Sequence, residues 1–75
     1  MEQAFGPEDP RTLTTRSNLA RWTGEAGDAA AARDGFEALL QIADRVLGHE
    51  HSLTRAARTN LAAWTAKAAD SSGLA

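Results

Sequence analysis

Three stretches of the chain place apolar or small residues three and four positions apart, separated by short breaks containing Gly, Asp and His. That period puts them on one face of an α-helix. In the first stretch the apolar face is Leu19, Trp22, Thr23 and Ala26, with Leu13 or Arg16 one turn back. In the second it is Ala32, Phe36, Leu39, Leu40, Ala43 and Val46 or Leu47. The opposite side carries Arg33, Asp34, Glu37, Gln41, Asp44 and Arg45, where Arg33/Glu37 and Gln41/Arg45 stand one turn apart. In the third it is Leu53, Ala57, Leu61, Trp64, Thr65 and Ala68.

Local signals set the boundaries. Gly6-Pro7 breaks a lead-in over residues 1–8. Asp9 before Pro10 is a helix start: the carboxylate accepts from orphan N–H groups, and Pro lacks the N–H that would be unpaired there. Gly27 suits the left-handed residue that ends a helix, and Asp28 caps the next. Gly48 closes the second helix and Ser52 caps the third. The predicted helices are 10–26, 29–47 and 52–70, with Ser71-Ser72-Gly73 ending the last and Leu74-Ala75 fraying. Gly35 costs up to about 1 kcal/mol relative to Ala in a helix interior. Its presence predicts that another backbone passes close by.

The first and third stretches are copies. Phe5 to Asp28, FGPEDPRTLTTRSNLARWTGEAGD, aligns with Leu47 to Asp70, LGHEHSLTRAARTNLAAWTAKAAD. At a shift of about 42 residues, about eleven of twenty-four positions are identical, Trp22/Trp64, Leu19/Leu61 and Asn18/Asn60 among them. The order is therefore helix A, helix B, helix A.

Composition fits helix. Ala is abundant, Val and Ile are scarce and Tyr is absent. Seventy-five residues allow one small domain, residues 1–75, whose core is marginal on its own. The net charge of −2, with both signs interspersed, gives no footprint for nucleic acid or anionic lipid, and no basic recognition face for helix-turn-helix DNA binding. No apolar run approaches the roughly 20 residues of a membrane span, and the acidic start does not read as a signal peptide. Without cysteine there is neither a disulfide nor a thiolate metal site, which fits a reducing cytoplasm.

Candidate chemistry is sparse. His49-Glu50-His51 offers two imidazoles and a carboxylate, too few for a metal site without a further ligand. No Ser/His/Asp arrangement, phosphate loop or carboxylate pair stands out, so neither catalysis nor a cofactor is expected. Arg16 and Arg58 recur at the same position and are read as structural ion pairs. Trp22 and Trp64 lie on the apolar stripes and are read, with Leu61, as packing or interface residues.

The paired segments with L-G-x-x-x and N-L-A resemble the tetratricopeptide repeat, in its long-period variety known from kinesin light chains and actinobacterial signalling proteins. The resemblance covers residues 5 to 70. Asp9 stands where that family has His, Ser52 where it has Pro, and Ser17 and Thr59 replace the first Asn of a pair. What it implies is an all-α fold: about one and a half antiparallel helical hairpins, a fragment of a right-handed solenoid. It also implies peptide binding by the A helices, with Asn18 and Asn60 on the peptide backbone. An amide can do this without demanding sequence, having both donor and acceptor. Thr14, Asn18, Arg21 and Glu25 share a helix face, as do Ala56, Asn60, Ala63 and Lys67. The expected function is a protein-interaction scaffold; the alternative is an assembly module whose open ends stack with another copy or a longer array. Repeat arrays need three or more units to bury a continuous core, so self-association, or membership of a longer chain, is expected.

Overall fold

The computed structural model describes Gly6 and residues 9–73, with side chains placed up to Asp70. Three α-helices account for nearly all of it: α1 (Pro10–Glu25), α2 (Ala29–Leu47) and α3 (Ser52–Gly73). No strand occurs among the described residues, so the protein is all-α. The predicted lead-in at residues 1–5, 7 and 8 and the Leu74-Ala75 end lie outside the described residues.

Each boundary has a local cause. The Asp9 carboxylate accepts from the Arg11 backbone N–H at 2.9 Å and from its guanidinium at 3.2 Å. These bonds hold the Asp9 carboxyl below its ordinary pKa. Asp28 caps α2 by accepting from Ala31 N–H at 3.0 Å. Gly27 and Gly48 adopt φ of 112° and 88°, a region that excludes most side chains. At the start of α3 the expectation fails: Ser52 is already helical, and His51 is the cap. Its Nδ1 accepts from Leu53 N–H at 3.0 Å, while its carbonyl accepts from Arg55 N–H. A ring nitrogen two bonds from Cβ reaches the first turn much as a short hydroxyl does, a geometry the residue preferences for caps do not single out.

α2 packs against both neighbours, whereas α1 and α3 meet only along a narrow strip. The result is flat, with extents of 44, 31 and 14 Å. The core centres on α2, where Ala32, Phe36, Leu39 and Ala43 are buried as the period predicts. Gly35 does mark a close approach, since a Cβ there would lie 3.1 Å from the Ala20 Cβ of α1. Arg33 bonds its neighbour Asp34 at 3.0 Å rather than Glu37.

The flanking helices bury different faces. α3 buries Thr54, Ala57, Trp64 and Ala68, with Leu53 and Leu61 packed at the edge; Thr65, assigned to that stripe, is exposed. α1 buries Leu13, one of the two alternatives for the start of its predicted stripe, together with Ala20 and Gly24; of the rest of that stripe Thr23 is half-buried and Leu19, Trp22 and Ala26 are exposed. Leu19 and Trp22 are 65% and 63% exposed. The A pattern is the same in both copies, but α2 lies on opposite sides of it, so the face that α3 turns inward α1 turns outward. Periodicity within one helix finds its larger apolar stripe; here the smaller stripe of Leu13, Ala20 and Gly24 makes the contact. Small residues suffice because they admit close neighbours, Gly35 of α2 at Ala20 and the Trp64 ring of α3 at Gly24.

Thr54 shows a local cost. It is fully buried, and its hydroxyl has no hydrogen-bond partner among the described residues. An unpaired buried hydroxyl destabilises by about 1–3 kcal/mol, and Val keeps the shape and the β-branch. Thr54→Val is expected to raise stability by about 1 kcal/mol, or about 4–8 °C in Tm for a domain of this size. A lowered Tm in a thermal melt would contradict the assignment.

Candidate interaction surface on the outer face of α1

The outer face of α1 begins with residues that α2 does not need. Leu19 and Trp22 stand three positions apart and so lie side by side on the helix surface. Exposed Ala26 continues the stripe toward the end of α1, and half-buried Thr12 lies at its other end. Beside Leu19 a shallow cleft of about 240 Å³ runs between α1 and α2, lined by Arg16, Leu19, Ala20, Thr23, Ala31 and Gly35. Its floor is apolar because Ala31 and Gly35 have nothing longer to offer. The Arg21 guanidinium lies 5.6 Å from the Trp22 ring centroid and covers part of one ring face.

The duplicate of this stripe is covered. Trp64 is 8% exposed, and its ring lies on Gly24 of α1. A Cβ added at Gly24 would come within 2.6–2.8 Å of three ring carbons, so only glycine admits the ring there. The Lys67 ammonium sits 5.4 Å from the Trp64 ring, as Arg21 does at Trp22. Leu61 packs against the core and its counterpart Leu19 does not. Trp22 therefore departs from the core packing read for both tryptophans, because among the described residues no helix lies on its side of α1.

The polar residues assigned to a peptide groove are distributed differently. Asn18, Arg21 and Glu25 are exposed on α1, and so is Thr14, whose hydroxyl donates to the Pro10 carbonyl at 2.9 Å. On α3, Asn60 is half-buried and its amide donates to its own helix, to Ala56 O at 2.9 Å. That bond engages one of the two N–H donors of the amide with the helix itself. The concavity Asn60 lines is built from α3 alone, with Ser52, Arg55, Ala56 and Thr59. Lys67 is exposed beside Trp64. Among the described residues no salt bridge is found for Arg16 or Arg58, both exposed, contrary to the structural ion pairs read for them.

The loop histidines have structural partners. His49 Nδ1 lies 3.0 Å from Asp44 Oδ1, and His51 caps α3. No group of three or more His, Cys, Asp or Glu among the described residues is arranged to hold a metal ion. No helix of the described residues is long and apolar enough to cross a membrane. No protein-family model, curated protein or solved structure matches the chain.

Proposed function

We propose that this chain is a protein-interaction module of tetratricopeptide-like type, working without chemistry of its own, and that its working surface is the outer face of α1. One observation carries this reading: Leu19 and Trp22 stand uncovered while their duplicates Leu61 and Trp64 are packed against the core, the Trp64 ring on Gly24 of α1. An exposed Leu–Trp pair beside an apolar cleft is the kind of surface that marks association, since aromatic anchors dominate interface energetics. The polar-face reading through Asn18 and Asn60 has less support, because the Asn60 amide is already engaged with its own helix.

Sedimentation equilibrium tests the reading. At high micromolar concentration the protein is expected to self-associate weakly, since uncovered stripes find one another when no better complement is present. The double variant Leu19→Glu, Trp22→Gln should be monomeric with Tm nearly unchanged, because neither side chain supports the core. A strict monomer for both proteins across the range would defeat the proposal.

A further inference from the structure

The complement of the α1 face can be specified further, and this step rests on the reading of that face as an interface. We infer that its occupant is an amphipathic α-helix of the α2 type, presenting small, aromatic and leucine residues in the spacing of Ala32, Phe36, Leu39 and Ala43. The structure contains the template for the complex. On α3 the stripe of Thr54, Leu61, Trp64 and Ala68 is turned inward, where α2 is the main neighbour of α3 and Gly24 of α1 seats the Trp64 ring. The corresponding residues of α1, at a shift of about 42, are Thr12, Leu19, Trp22 and Ala26: the same four residue types. Along that stripe Ala57 is replaced by Thr15, and at its edge the half-buried Leu53 by Arg11. Like side chains at like helical positions present like surfaces, so a helix that packs on the shared part of one fits the same part of the other.

The other open face does not qualify. α1 turns Leu13, Ala20 and Gly24 inward, Ala20 against Gly35 of α2 and Gly24 against Trp64 of α3. The matching residues on α3 are Arg55, Ala62 and Ala66, all exposed. Arg55 puts a charge where Leu13 is buried, and Ala66 puts a Cβ where Gly24 has none. An α2-type helix is therefore directed to α1. A second intact copy is a poorer occupant than a free helix, because its own α2 already lies between α1 and α3.

A peptide of residues 28–48, with its own cap residues Asp28 and Gly48, serves as the probe. It contains no tryptophan, so the emission reports the protein alone. Titrated into the full chain it should bind saturably at one to one, shift the tryptophan emission to the blue as Trp22 is covered, and reverse the weak self-association. Leu19→Glu in the protein should weaken binding about tenfold or more, and the peptide carrying Phe36→Ser and Leu39→Ser should not bind. An absence of binding would overturn the inference. So would binding that Leu19→Glu leaves unchanged, since the peptide would then be displacing the protein's own α2 or lying on α3. If the peptide fails while Leu19-dependent self-association persists, the interface reading stands and the α2-type occupant falls. If both are absent, both fall.

Discussion

Replacing Trp64 by Ala is expected to leave the chain largely unfolded at 25 °C, while replacing Trp22 by Ala leaves its stability within about 0.5 kcal/mol of the parent. The two residues are identical in type and occupy the same place in the repeated pattern. Their difference is burial: 8% exposure for Trp64 against 63% for Trp22. Truncating a buried Trp costs about 3–5 kcal/mol through lost burial and the cavity left behind. Domains of this size rarely have more than about 3–5 kcal/mol in total, so the loss is comparable to the whole. Gly24 worsens it, for the cavity would open onto a residue with no side chain to collapse inward. Urea titration followed by circular dichroism reads both variants. Trp64→Phe, which keeps a ring, should retain a cooperative transition at lower midpoint. Equal destabilisation by Trp22→Ala and Trp64→Ala would mean that both A stripes are covered.

The element layout was legible because the signals were local. Asp9-Pro10, Asp28 and Gly48 act on backbone groups within one turn, so helix bounds of 10–26, 29–47 and 52–70 fell close to those observed. The inner stripe of α2 was legible because a helix packed on both sides must be apolar over a broad arc. The inner stripe of α1 was not. Leu13, Ala20 and Gly24 make a thin line next to the bulkier Leu19 and Trp22, and periodicity weighs size. Which side of an A helix receives α2 depends on chain order, and no single-helix pattern contains that. The duplication did contain it: one intervening helix cannot lie on the same side of both copies, so one large stripe had to remain open.

The candidate site was legible in its residues and not in its grouping. Trp22, Trp64 and Leu61 are read from the sequence as packing or interface residues; the structure packs Leu61 and Trp64 and leaves Trp22, with Leu19, open. The polar set rests on the resemblance for Asn18 and Asn60 and on helix geometry for the residues that share their face. Helix geometry cannot foresee that the Asn60 amide turns back to Ala56 O, a local bond that competes with any external partner.

Phe36→Ala is the second substitution with a large expected effect, and its mechanism differs from that at Trp64. Phe36 is fully buried at the middle of α2, which among the three described helices is the one in broad contact with both others. The ring belongs to the cluster that joins Leu13 of α1 to Ala57 and Trp64 of α3. Its truncation is expected to cost about 3–5 kcal/mol. α1 and α3 meet only along a narrow strip and cannot hold together across the void. Loosened α2 should therefore release both flanking helices in one step, and helical circular dichroism and tryptophan burial should vanish together. Helices in a protein owe most of their stability to the packing of an apolar face, so little helix should remain once that packing is lost. Phe36→Leu, which retains most of the volume, should cost under about 1.5 kcal/mol. Loss of tryptophan burial with helix content retained would show that α2 is not the common support of its neighbours.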